Sequence, residues 1–277
     1  MKNAYLILSI LFINTLSAQI PNNSFENWDT VSMGDMLDGW MSTNDWYPNT
    51  ITRTTDAASG AYAIRMQGYV MGSDSAFAAI FNGDPGDLTG GIPFTQKPDS
   101  LKGYYKYHIA GNDTGTIMLI FTSASHGPLT MLVKQITGTE STYIPFSYPI
   151  TWDPMLTGIS PDSLVIAFSP NNVESSMDTG SYLYLDNISF TGNGITDTIP
   201  NADFENWTNL KYDDPTDWSS IDKYLVAEGK SSSIKTTDAY DGNYALILET
   251  VSMDSWGDTV GSIFSGELSI SSPPSGF

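Results

Sequence analysis

The chain has 277 residues, no cysteine, and 31 acidic against 11 basic side chains, for a formal charge of −20. The absence of cysteine excludes disulfide staples, thiolate metal sites, a cysteine nucleophile and a lipid-anchored N-terminal cysteine. The acidity argues against binding a nucleic-acid phosphate backbone; its plain reading is solubility, its sharper one carboxylates that serve a hard cation.

Residues 1–18 read as a signal peptide. Lys2 supplies a minimal positive charge, an apolar run covers 4–16, and Ser17-Ala18-Gln19 offers small residues for cleavage after Ala18. That run is shorter than the roughly 20 residues needed to cross a bilayer, and no later segment is apolar enough, so the expectation is a secreted or cell-surface protein with no membrane span. Helix periodicity is nearly absent after the leader. Strand patterns recur instead at 61–66, 75–81, 101–110, 116–123, 129–136, 163–169 and 181–190. The segments between them, Gly-Asn-Asp, Ser-His-Gly-Pro and Ser-Pro-Asn-Asn, are turn formers. Consecutive strands without helices predict an all-β chain: an antiparallel β-sandwich of jelly-roll type.

The chain also repeats itself. Ile20-Pro21-Asn22-Asn23-Ser24-Phe25-Glu26-Asn27-Trp28 returns as Ile199-Pro200-Asn201-Ala202-Asp203-Phe204-Glu205-Asn206-Trp207. The block from Thr54 to Ala63 returns from Thr236 to Ala245. Two blocks in the same order at nearly constant spacing predict a tandem domain rather than a short solenoid repeat. The expected boundaries are a first sandwich at 20–192, a linker at 193–198, and the N-terminal part of a second, truncated copy at 199–277. Its strands near 244–250 and 260–265 lack closing partners, so further domain sequence is expected beyond Phe277. On that reading the second copy is cut first by a protease, and a chain ending near Gly192 is at least as stable as the whole.

Candidate binding residues come from two places. In the strand 102–109, Lys102, Tyr104, Lys106 and His108 share one face, and Tyr105, Tyr107 and Ile109 share the other, expected to be core. An aromatic ring beside hydrogen-bond donors suits a sugar; the alternative is a solvated sheet face. Trp46 and Tyr47 sit in a loop, where a ring stacks on a pyranose or folds onto the sandwich. Trp28, Trp40, Trp207 and Trp218 recur between the copies and read as scaffold. No nucleophile elbow, metalloprotease helix or phosphate loop is present, so no catalytic residue is assigned.

The opening Pro-Asn-Asn-Ser-Phe-Glu-Asn-Trp, the Gly39-Trp40 pair, Ser59-Gly60-Ala61-Tyr62-Ala63 and Leu185-Asp186-Asn187-Ile188 resemble, in that order, galactose-binding-like jelly rolls, the fold of many carbohydrate-binding modules. The stretch from Pro98 to Tyr107 resembles more narrowly a carbohydrate metabolism domain of secreted bacterial proteins. In such modules the Glu after the first strand's Phe and the Asp of the last strand hold a structural calcium. The resemblance therefore implies Glu26 and Asp186 as ligands, with Asp56 contributing, and Glu205 and Asp238 as their counterparts in the second copy. A buried carboxylate pair is tenable with a cation between its members; otherwise Glu26 caps a turn and Asp186 pairs with a lysine or a backbone amide. The expected function is a non-catalytic, calcium-stabilised module that binds a polysaccharide or glycan through Trp46, Tyr47, Tyr104, Lys106 and His108. The alternatives are an adhesive surface module without a sugar site and, more remotely, a glycoside-active enzyme.

Overall fold

The strand with the cleanest alternation sets the layout. Across Ser100–His108, Leu101, Gly103, Tyr105 and Tyr107 are buried while Lys102 and Tyr104 are exposed, the pattern of a strand with one face on a core and one in solvent. In the computed structural model, which describes residues 20–47, 49–72, 74–83, 91–172, 180–253 and 257–265, this strand is one of twenty-one. The leader expected at 1–18 lies outside the described residues.

In chain order the strands are β1 (Trp28–Leu37), β2 (Met41–Ser42), β3 (Ile51–Thr54), β4 (Ala63–Gln67), β5 (Tyr69–Met71), β6 (Asp74–Ala76), β7 (Ile80–Asn82), β8 (Ile92–Pro93), β9 (Ser100–His108), β10 (Gly115–Ser123), β11 (Gly127–Ile136), β12 (Thr139–Pro149), β13 (Ser163–Ser169) and β14 (Tyr182–Thr191). After the second occurrence of the motif come β15 (Trp207–Pro215), β16 (Trp218–Ser220), β17 (Ser233–Thr236), β18 (Ala245–Leu248), β19 (Val251–Met253), β20 (Asp258–Val260) and β21 (Ile263–Ser265). One sheet runs β11-β10-β13-β7-β2 with β8 beside β13, and the other runs β12-β9-β14-β4-β3. Neighbours are antiparallel, and strands consecutive in sequence often change sheets, as a jelly roll requires. The core between the sheets holds Ile64, Met66, Phe94, Leu101, Ile117, Leu119, Phe121, Leu164, Phe168 and Leu185.

β1, β12 and β15 are the longest of the strands that fall outside those expected from alternation. β12 is rich in Thr, Ser and Tyr, and its pairing with β9 shifts register between Glu140 and Ile144, which breaks the period of two. β1 and β15 pair with each other, Trp28 opposite Pro215 and Leu37 opposite Trp207, rather than with either main sheet.

That ribbon pairs the strands that follow the two occurrences of the repeated motif. Ile199 and Phe204 are 5% and 0% exposed inside the first sandwich's core, where the Phe204 ring lies 5.9 Å from Trp40. Trp40 Nε1 donates to the Pro200 carbonyl at 2.9 Å. Conversely, Phe25 packs on Trp218 at 5.5 Å, and Trp218 Nε1 donates to the Pro21 carbonyl at 3.0 Å. The boundary expected at Gly192 therefore stops short of Ile199 and Phe204, which fill this core.

The motif's own sequence explains its shape. Asn22 and Asn201 each take a left-handed backbone, φ +42° and +45°, as do Phe25 and Phe204 at φ +56°. Such a conformation is rare for a bulky side chain and needs support. The asparagine provides it: Asn22 Nδ2 donates to the Asn27 carbonyl, and Asn201 Nδ2 to the Asn206 carbonyl, both at 2.8 Å. Trp28 and Trp207 close the turn by donating to the carbonyls of Phe25 and Phe204.

Beyond the ribbon, the described strands after β15 form three separate two-stranded pairs, β16-β21, β17-β18 and β19-β20. Their small buried cluster is Ile221, Leu225 and Met253, while Ile247 and Leu248 are exposed.

Candidate functional site: a tyrosine-lined sheet face and a roofed carboxylate pair

The outer face of the β12-β9-β14-β4-β3 sheet collects aromatic and basic side chains. Strand register puts His108, Tyr182 and Gln67 in one row across three strands, Lys106, Tyr184 and Arg65 in the next, and Tyr104 beside Asp186 in the third. Thr139 and Thr52 extend the first two rows at the sheet edges. The rings touch: Tyr182 and Tyr184 are edge-on at 5.7 Å, and His108 lies 5.7 Å from Tyr182. Cations fill the gaps. Lys106 Nζ sits 4.1 Å above the Tyr184 ring and 5.1 Å from that of Tyr143, and Arg65 lies 5.9 Å from Tyr184. In a chain of charge −20, Arg65, Lys102 and Lys106 on one face stand out.

Several of these groups are held in place by neighbours. Lys106 pairs with the Asp56 carboxylate, and the Tyr143 hydroxyl donates to the Asp56 carbonyl at 2.6 Å. His108 Nδ1 and the Thr139 hydroxyl share a hydrogen bond of 2.7 Å. Arg65 donates to the Gln67 side-chain oxygen. Burial, then the charges of Asp56 and Asp186, pushes the Tyr143 hydroxyl well above the usual tyrosine range, so it stays a protonated donor. Tyr104 is 40% exposed. Such a surface offers ring faces for stacking and fixed donors and acceptors for hydroxyl groups.

Of the five residues assigned to ligand binding from sequence, Tyr104, Lys106 and His108 share this face. Trp46 and Tyr47 are elsewhere: Trp46 stacks on Phe81 of β7, in the other sheet, and Tyr47 packs edge-on against Phe77. Sequence reasoning missed Arg65, Tyr143, Tyr182 and Tyr184. The alternation of Tyr182 and Tyr184 with buried Leu183 and Leu185 was a signal for the last two, legible once β9 and β14 are known to be neighbours.

Beside this face lies a pair of carboxylates under one loop. Asp186 is fully buried; its Oδ2 accepts from the Ala58 and Ser59 amides at 2.7 and 2.9 Å, and its Oδ1 has no hydrogen-bond partner. Glu205 Oε1 accepts from the Ala61 and Tyr62 amides at 2.9 and 3.1 Å. Gly60, at φ +69°, lies between them, and a Cβ there would stand 2.0 Å from Glu205 Oε1. Burial raises the Asp186 pKa above the ordinary 3.8; the Ser59 and Ala58 amides offset part of this, and the nearby Glu205 charge raises it further.

The carboxylate that the structure sets beside Asp186 is thus Glu205, not Glu26. Glu26 instead sits at the recurring block 236–245, accepting from the Asn243 and Tyr244 amides at 3.0 and 3.1 Å. Those amides, that of Tyr244 foremost, hold its pKa below the usual range. Gly242, at φ +82°, makes room as Gly60 does, since a Cβ there would lie 2.2 Å from Glu26 Oε1. Of the other assigned metal ligands, Asp56 pairs with Lys106, and Asp238 is exposed with its amide bound to the Thr236 hydroxyl. Among the described residues no three His, Cys, Asp or Glu side chains converge, and no helix is long and apolar enough to cross a membrane. Asp186 Oδ1, unpartnered and next to a second carboxylate, suits a hard cation whose remaining ligands are backbone carbonyls and water.

No protein-family model and no curated protein sequence matches the chain. Solved structures that resemble it include a candidate glycoside hydrolase of Bacteroides thetaiotaomicron, at 16% identity and a TM-score of 0.44, covering 56% of this chain. The chain spans 63% of that protein. A candidate glycoside hydrolase of Bacteroides vulgatus matches at 17% identity and a TM-score of 0.42, over 61% of this chain and 96% of its own. A family 16 carbohydrate-binding module matches at 15% identity and a TM-score of 0.34, over 56% and 92%. The jelly roll itself rests on the chain's own strand pairing.

Proposed function

We propose that the chain is an exported carbohydrate-binding module that holds a polysaccharide or glycan on the outer face of the β12-β9-β14-β4-β3 sheet without cleaving it. The observation that carries this reading is the row of Tyr182 and Tyr184 flanked by His108, Arg65, Gln67 and Lys106. A sugar ring presents an apolar face and a rim of hydroxyls. Tyrosine rings answer the first, and the imidazole, guanidinium and amide answer the second. The cations are already pinned by Asp56, Gln67 and the rings, so little side-chain entropy remains to be lost on binding. The test is a glycan array probed with the mature chain, followed by titration of the best ligand against Tyr184→Ala and Tyr182→Ala. Each variant should weaken binding at least tenfold with an unchanged circular dichroism spectrum. Tight binding that survives both substitutions would move the site elsewhere, and release of reducing ends from the ligand would make the protein an enzyme.

We also infer a structural calcium at Asp186 and Glu205, with Glu26 holding the corresponding position in the second copy. A bound cation would satisfy Asp186 Oδ1 and offset the repulsion between the two carboxylates. The test is a thermal melt of the mature chain in chelator and in calcium. Identical melts would remove the cation from this site.

A further inference from the structure

The repeated Ile-Pro-Asn-x-x-Phe-Glu-Asn-Trp motif makes the same contacts twice, each time on the opposite copy. Asn201 Nδ2 donates to the Asp38 carbonyl, and Asn22 Nδ2 to the Thr216 carbonyl. The Asp38 amide donates to the Asn206 carbonyl at 3.2 Å, and the Thr216 amide to the Asn27 carbonyl at 2.9 Å. Glu205 takes the Ala61 and Tyr62 amides of the first copy, and Glu26 takes the Asn243 and Tyr244 amides of the second. The receiving site in each copy has matching parts: a left-handed residue, Gly39 at φ +77° or Asp217 at φ +67°, followed by a Trp whose indole binds the incoming Pro carbonyl, and a loop glycine that leaves space for the incoming glutamate. Between the two sites the antiparallel β1-β15 ladder runs through nine residue pairs.

We propose that this motif is an exchanged insert and that its docking site on each copy is a repeat-to-repeat recognition surface. Its partner is the Phe-Glu-Asn-Trp segment of the neighbouring copy in the same chain. Reciprocal insertion, rather than the linker at 193–198, then joins the two copies. The chemistry of the segment accounts for its fit. Phe204 supplies apolar area to a buried site, Glu205 caps two backbone amides that would otherwise lack a partner, and Asn201 fixes the left-handed turn that presents both. An inserted segment whose backbone is already set loses little freedom on docking.

The experiment cuts the covalent link and asks whether the copies stay together. A protease site is placed between the exposed residues Asn193 and Gly194 of the mature chain, which is then nicked and sedimented at micromolar concentration. Exchange predicts a single particle of the uncut mass. Thr30 and Asp213 face each other across the ladder, with the Thr30 hydroxyl 2.6 Å from the Asp213 carboxylate. Because the chain has no cysteine of its own, Thr30→Cys with Asp213→Cys should form one disulfide that joins the two pieces of the nicked chain on a non-reducing gel. In the nicked chain, Phe204→Ala should shift dissociation to at least tenfold higher protein concentration. Pieces that sediment apart without that substitution overturn the proposal, as does a cysteine pair that links two chains instead of closing within one.

Discussion

Replacing Phe204 by alanine should destabilise the first sandwich although the residue lies outside the segment 20–192. Its side chain is 0% exposed and packs on Trp40 at 5.9 Å, so truncation costs about 3–5 kcal/mol in lost transfer energy and cavity formation. For a domain of this size each kcal/mol moves the midpoint by roughly 2–4 °C, giving a fall of about 6–20 °C. Phe25, its sequence counterpart, packs on Trp218 instead, and Phe25→Ala should leave the main transition within about 1 kcal/mol of wild type. Thermal circular dichroism of the full chain reads the midpoints. Hydrogen exchange at Gly115–Ser123 and Ser163–Ser169, strands of the first sandwich, reads which half has loosened. Should Phe25→Ala open those strands and Phe204→Ala spare them, each motif would serve its own copy and the exchange described above would be wrong. By the same reasoning a chain ending at Gly192 lacks both Ile199 and Phe204, and it should melt below the full chain rather than match it.

Trp40→Ala should lower stability by about 3–5 kcal/mol in denaturant titration, since the indole is 8% exposed between Phe168 and Phe204. Calcium at 100-fold over its Kd should add about 2.7 kcal/mol at neutral pH, and Asp186→Asn should abolish the difference between melts in calcium and in chelator. The Asp186 carboxyl has a raised folded pKa, so without a cation the folded state holds the extra proton. Its contribution to stability therefore falls as pH rises from the ordinary 3.8 through the folded value. Without calcium, stability of wild type relative to Asp186→Asn should thus improve on acidification from neutral pH, and a flat difference would mean the carboxyl is not strained. Trp46→Ala should leave glycan affinity within twofold while Tyr184→Ala lowers it at least tenfold; titration calorimetry separates the two.

The carboxylate assignment shows where sequence runs out. Glu26 and Glu205 sit in the same nine-residue motif, so nothing local tells which sandwich either one enters. Asp186 in turn is a candidate ligand through the family resemblance alone, and the carboxylate beside it follows from the β1-β15 pairing, a contact between segments more than a hundred residues apart. The tyrosine-lined face divides the same way. Alternation within one strand put Tyr104, Lys106 and His108 on a common side, because side-chain direction in a strand has a period of two. Trp46 and Tyr47 looked equally suitable because a loop aromatic carries no record of the sheet it will pack on.

Composition and alternation by themselves determined an all-β sandwich without disulfides, most of its strands, the inward face of β9 and the existence of a duplicated motif. Those properties depend on short-range geometry and on which residues water rejects. The tertiary structure alone decided that β9, β14 and β4 lie side by side to assemble a tyrosine face, and that Phe204 packs on Trp40 while Phe25 packs on Trp218. Both outcomes depend on closing long loops between surfaces whose complementarity exists only after the sheets have formed.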